Sequence, residues 1–440
     1  MRSSIKIAGA VFAGAALLMG AAFVPLRVGR SDASTAPANV TEDAALLPAM
    51  TSDLDEAIAA LYSQLEQRPE DAGLHAQLGL RYLQRSRNEA DPASLPEAEK
   101  ALGRSLELQP QENLFAFVGM ASLSNARHDF SGSVKWSRRA IESNPYSASA
   151  YGLLGDALFE LGDDDAAAGA YQDMVDRRPD VASYVRASYT FGYQGRTRAA
   201  IGAMKLALEA SGPSGESAAW IRHQLGDIYA GLGRYDEVAR QNRIGIALAP
   251  GYVPPTVGLA ESFIARGRLG KALEIVERAA DELPTLEYIG KLGDLYRATG
   301  REAAAETQYA RVARKLGDYR RNGVRPDADF IVFYADHGLR PKAALREAFS
   351  IYRNRPTPKI ADALGWMLHS VGRDEAAWRY ARESARSGDA GMSFHAGMIA
   401  RATGRDERGV SLLREALKVN PSFSILGPAT ARRAIREATR

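Results

Sequence analysis

Few residue groupings in this 440-residue sequence could do covalent, phosphate or metal chemistry, and each of them is incomplete. Gly270-Lys271 has the ending of a phosphate-binding loop. Ala265 stands where the earlier glycine belongs, and Ala272 where a hydroxyl would hold the metal. Gly212-Pro213-Ser214-Gly215 has the start of a nucleophile elbow, but Glu216 replaces the glycine needed after the serine. No zinc-binding His-Glu-x-x-His pattern and no calcium-loop pattern occurs. The six histidines (75, 128, 223, 337, 369 and 395) are scattered. His369 and His395 stand in adjacent repeats, where they could come close enough to share a metal, but ordinary packing accounts for them better. Asp163, Asp164 and Asp165 sit at the start of an apolar-periodic run, where negative charge suits a helix N-terminus without any cation. Cysteine is absent, which excludes thiol catalysis, disulfides and thiolate metal sites. The expectation is a chain with no cofactor and no intrinsic enzyme activity.

Composition narrows the class further. A hydrophobic fraction of 46% with 25% charged residues is that of a folded chain. A net charge of +3 from 56 basic and 53 acidic residues carries no polyelectrolyte signature, so nucleic acid is not an expected partner. Residues 1–30 read as a targeting segment: Arg2 and Lys6 lead an uncharged apolar run over 7–24. Its length lies between a signal-peptide core and a membrane span, so it reads as an uncleaved anchor or a removed signal peptide. Residues 31–50, rich in Ala, Ser, Thr, Pro and Asp, read as a flexible tether. The expected location is the cell envelope, with membrane contact through the N-terminal segment if it is retained.

The remainder, 51–440, is built from one recurring element, seen most clearly at 148–179. Tyr151, Leu154, Leu158 and Leu161 recur at helical spacing, as do Ala167, Tyr171, Met174 and Val175. Gly162 breaks the pattern between them, and Pro179 closes the unit. Glycines fall in the same place at 162, 195, 233, 267, 300, 338, 372 and 404, every 32 to 38 residues. Tyr151, Leu154-Gly155, Leu158, Gly162, Ala167, Tyr171 and Pro179 together resemble the tetratricopeptide repeat (TPR), with Met174 replacing its second alanine.

The resemblance implies an all-α, right-handed α-solenoid of about ten helical hairpins, preceded by the N-terminal apolar helix. Repeats lie near 74–110, 114–145, 148–179, 182–213, 219–250, 253–284, 286–317, 328–356, 358–388 and 390–421, with caps at 53–68 and 429–439. The first repeat carries an insertion near 88–95. The rhythm slips over 314–327, a basic stretch that reads as a hinge and solvated helix end, or else as a contact for anionic lipid or an acidic partner.

By the same resemblance, the working surface is the concave face, lined by defined first-helix positions. These are Asp156 and Phe159; Tyr189 and Tyr193; Trp220, His223 and Asp227; Glu261; Asp294 and Arg297; Asp362, Trp366 and His369; and Phe394, Met398 and Arg401. Aromatics beside carboxylates suit a peptide carrying some basic residues. The function expected is therefore a bacterial envelope scaffold that binds a protein segment. The alternatives are a non-catalytic accessory subunit of an envelope enzyme, and a glycan or small-ligand binder using Trp220 and Trp366.

Overall fold

The computed structural model describes residues 54–439. The apolar run and the tether lie outside the described residues. Within them are twenty-two α-helices, two short 3-10 turns and no strand. A lone helix, α1 (Leu54–Gln67), comes first. Five hairpins follow: α2 (Ala72–Asn88) with α3 (Leu95–Leu108), α4 (Leu114–Ala126) with α5 (Phe130–Ser143), α6 (Ala148–Leu161) with α7 (Asp164–Arg177), α8 (Val181–Tyr193) with α9 (Thr197–Ala210), and α10 (Glu216–Gly231) with α11 (Tyr235–Leu248). Five more follow those: α12 (Val253–Ala265) with α13 (Leu269–Glu282), α14 (Leu286–Ala298) with α15 (Glu302–Arg321), α16 (Ala328–Asp336) with α17 (Pro341–Asn354), α18 (Pro358–Ser370) with α19 (Asp374–Ser384), and α20 (Ala390–Ala402) with α21 (Asp406–Val419). A single helix, α22 (Gly427–Ala438), ends the series. The chain is an all-α solenoid of TPR-like hairpins.

Local chemistry makes each hairpin. Gly162 ends α6 at φ +84°, and the seven other periodic turn glycines also have positive φ, from +63° to +77°. A residue with a Cβ is strained in that conformation, which is why glycine recurs there. Asp163 then caps α7 by accepting from the Ala166 amide at 3.3 Å, with Asp164 and Asp165 in the first turn. The aspartate run is thus a helix start. A second glycine sets the distance between the paired helices. A Cβ on Gly155 would lie 2.4 Å from the Tyr171 ring, and one on Gly293 would lie 2.5 Å from that of Tyr309. The buried tyrosine fills the gap left by the missing side chain. Burying a side chain of that size contributes roughly 2 kcal/mol.

The described residues form two compact units, one of 54–187 with 317–325, the other of 188–316 with 326–439. In the first unit, α1 places Ile58, Leu61 and Leu65 against Leu78 and Tyr82, closing one end of the core. The insertion near 88–95 forms a 3-10 turn, Pro92–Ser94, capped by Asp91. Residues 317–325 combine exposed arginines, Arg321 and Arg325, with apolar anchors. Val324 is 3% exposed and joins the same core as Leu123. The Tyr319 hydroxyl donates to the Ala90 carbonyl at 3.3 Å, and the Arg325 amide to the Arg127 carbonyl at 3.0 Å. Arg325 also pairs with Asp129 at 2.9 Å.

In the second unit, α22 buries Ala431 and Ala434 against Leu413 and Ala416. The fifth and tenth hairpins touch: Asn420 Nδ2 donates to the Ala230 carbonyl at 3.0 Å, and the Tyr235 hydroxyl donates to Asn420 Oδ1 at 2.8 Å.

Candidate functional site

Within each unit, first helices of successive hairpins pack side by side, as α2 does with α4, α4 with α6, α10 with α12, α16 with α18 and α18 with α20, and these helices carry most of the polar residues singled out above. Hydrogen bonds and ion pairs run along this first-helix layer from hairpin to hairpin. In the first unit, Arg186 grips Asp156 in a bidentate pair at 2.8 and 2.7 Å, and the Tyr171 hydroxyl donates to the same carboxylate at 3.1 Å. Burial disfavours the Arg186 charge, but the Asp156 carboxylate outweighs it and holds the guanidinium above its usual pKa. Phe159 is half-buried.

The second unit repeats the device with different chemistry. The Tyr189 hydroxyl donates to Gln224 Oε1 at 2.7 Å, whereas Tyr193 is buried at 6% exposure. Trp220 is half-buried. His223 faces Asn242 Oδ1 at 3.1 Å and Asp227 at 3.5 Å. Burial lifts the Asp227 carboxyl to about 6, against the pull of His223. Glu261 is ion-paired with Lys291, which also reaches Glu287 at 3.2 Å. Asp294 accepts from the Tyr309 hydroxyl at 2.9 Å and lies 3.7 Å from His337 Nε2. Burial pushes that carboxyl up to about 7, and burial lowers His337 to about 4. Arg297 is held by Glu302 and Glu306 at 2.8 and 2.6 Å and lies over the Tyr309 ring.

Near the C-terminal end an aromatic and carboxylate cluster forms. Trp366 Nε1 donates to Asp336 Oδ1 at 2.7 Å, and its ring stacks on His395 at 4.2 Å. His395 Nδ1 pairs with the buried Asp362 at 2.8 Å. Burial works against the imidazolium, yet Asp362 wins and raises the His395 pKa. His369 pairs with Asp374 instead, so each imidazole has its own carboxylate. Among the described residues, no three His, Asp or Glu side chains converge as a metal site. Phe394 is buried against Phe423, with Met398 packed at the edge of the same cluster. Arg401 reaches Asp406 at 3.4 Å and Glu437 at 3.8 Å.

The structure therefore unites Asp362, Trp366, Phe394 and Met398 in one cluster and joins Tyr189 to the helix that carries Trp220 and His223. It also couples each of Asp156, Glu261 and Asp294 to a partner on a neighbouring helix. The acidic positions are largely neutralised from within.

What the sequence positions alone did not reveal is a cleft of about 280 Å³ in the first unit. Residues of α2, α4, α6 and α8, the first helices of four successive hairpins, line it together with Met174 and Arg178. Its lining is partly apolar, with Leu80, Leu83, Val118 and Leu153, and carries four arginines, Arg81, Arg87, Arg178 and Arg186. Carrying the family's inner-face positions into the first two hairpins would have found Leu80, Phe115, Val118 and Ser122. Arg178 follows the end of α7, outside the first helices that carry those positions.

No family model matches this chain. It is 25% identical over 184 residues to Anaphase-promoting complex subunit 7 of Arabidopsis thaliana, a match that covers 42% of this chain and 32% of that protein. The chain thus spans about a third of the length of the curated relative it matches. Among solved structures it is similar to a thermophilic TPR protein of Thermus thermophilus, with 18% identity, TM-score 0.37, 42% of this chain and 99% of that one. It is likewise similar to the Cut9–Hcn1 hetero-tetramer of the APC/C, with 15% identity, TM-score 0.39, 83% of this chain and 63% of that one.

Proposed function

We propose that this chain is a non-catalytic scaffold that captures a polypeptide segment on the first-helix layer of its hairpins. The observation that carries the reading is the cleft across four consecutive first helices, with apolar side chains among polar groups, which an extended segment could occupy. The partly exposed Trp220, Trp366 and Met398 extend that chemistry to the second unit. The inter-helix ion pairs hold the layer rigid, so little conformational entropy is lost when a segment docks. The reading includes export to the cell envelope, with the apolar run at 7–24 as anchor or signal.

In-cell photocrosslinking from Tyr189, Trp220 and Trp366 tests the capture, and the mass of the mature N-terminus tests the export. One recurrent polypeptide caught at two or more of the three positions supports capture. Cross-links only to lipid, glycan or the chain itself overturn capture by the second unit, where all three positions lie. A mature chain that begins at Met1 and fractionates with the cytoplasm overturns export.

A further inference from the structure

The arginines of the cleft outnumber the carboxylates that face them. Arg186 is paired with Asp156, and Arg178 with Asp180 at 2.7 Å. Arg81 donates to Gln84 Oε1 at 3.0 Å and has no carboxylate partner among the described residues. The Arg87 side chain makes no hydrogen bond or ion pair with any described residue and stands exposed at the mouth. Partial desolvation, with the like charge of Arg186, pulls its pKa below the ordinary arginine value. Two guanidiniums thus face a partly apolar cleft with their charge uncompensated.

We propose that this cleft binds an extended acidic segment of a partner polypeptide, in which carboxylates alternate with aliphatic side chains. The inference deepens the capture reading above and rests on it. Guanidinium forks match carboxylates in geometry and charge. Aliphatic side chains suit Leu80, Val118 and Leu153, and Gln77, Ser122 and Ser149 offer hydrogen bonds to a peptide backbone. Single-stranded nucleic acid is the poorer fit. It needs a series of stacking platforms, and Phe115 is the one aromatic among the described residues that line the cleft.

The test uses the full chain and a fluorescent peptide of alternating Glu and Leu with both ends blocked, read by anisotropy. A control peptide carries Gln for Glu. The peptide should bind, the Gln peptide should bind at least about tenfold more weakly, and affinity should fall as salt rises. Arg87→Gln and Arg81→Gln should each weaken binding about five- to tenfold with helical circular dichroism unchanged. Equal affinity for the Glu and Gln peptides overturns the proposal, as does unchanged affinity in both variants. A thymidine oligomer that binds more tightly than the peptide, with the same dependence on Arg87, reassigns the cleft to nucleic acid and also overturns it. If the peptide fails while cross-links from Trp220 and Trp366 persist, this inference falls and capture stands. If cross-linking fails while the peptide binds through Arg87, it is the second-unit part of the capture reading that falls.

Discussion

Asp294 is a carboxylate that burial strongly disfavours in its ionised form. Its surroundings come from three helices: Lys291 and Arg297 on its own helix α14, Tyr309 on α15, and Asp336 at the end of α16 with His337 just beyond it. Burial, then the repulsion of Asp336, outweighs the Tyr309 hydrogen bond and the two cations, so the pKa rises from 3.8 to about 7. A raised carboxyl pKa means that the native state holds a proton the unfolded chain has lost, so the group weakens the fold above pH 7. That penalty disappears as pH falls from about 7 towards 4. The gap between the two values, at about 1.4 kcal/mol per pH unit, corresponds to ~4 kcal/mol as an upper figure. Asp294→Asn removes the charge and leaves an oxygen for the Tyr309 hydroxyl. The variant should therefore be about 2 kcal/mol more stable than the parent at pH 8, and no more stable than the parent at pH 4.5. Urea unfolding midpoints of the two proteins at each pH measure this, since comparing them at one pH cancels every other titrating group. A variant equally destabilised at both values would refute the reasoning, because ionisation of Asp294 would then not be coupled to folding between those values.

Other consequences are independent of that site. Gly293→Val should destabilise by about 1–3 kcal/mol, because its first carbon meets the Tyr309 ring at 2.5 Å; an unchanged thermal midpoint would mean the hairpin is not packed as described. Val324→Ala should cost about 2 kcal/mol and speed amide hydrogen exchange in helices of 54–187 as well as in 317–325. Faster exchange confined to 317–325 would contradict its place in the first-unit core. Asp156→Asn should cost about 2 kcal/mol by leaving Arg186 without its bidentate partner, and urea unfolding with no loss of stability would contradict that pairing.

Much of the fold was legible because a hairpin is written locally. Glycine at the turn, aspartate at the next helix start, and glycine opposite tyrosine sixteen residues on (Gly155 with Tyr171, Gly293 with Tyr309) are short-range rules a linear reading can apply. Contacts between distant hairpins were not legible. The docking of Arg325 on Arg127 and of Tyr235 on Asn420 joins residues nearly two hundred apart. Such contacts depend on the accumulated rotation of every hairpin between them, which no motif records. For that reason 314–327 read as a break in the rhythm, and the packing of Tyr319 and Val324 against the core of 54–187 was not foreseen.

The candidate site was half legible. First-helix positions were assigned, but the cations that neutralise them were not. Arg186 and Lys291 each stand thirty residues beyond the carboxylate they meet, off the positions the repeat pattern marks. An inner face expected to attract basic peptides is internally neutralised along much of its length, and in the first unit it is basic.

The central claim is that a partner lies on the first-helix layer. Hydroxyl-radical footprinting of the full chain, with and without the polypeptide recovered by cross-linking, tests it most directly. Trp220, Trp366 and Met398 should lose reactivity on binding, while Tyr146, 67% exposed in the turn between two hairpins, should keep it. Protection of Tyr146 with Trp220, Trp366 and Met398 unchanged would contradict the account and move the binding surface elsewhere on the chain.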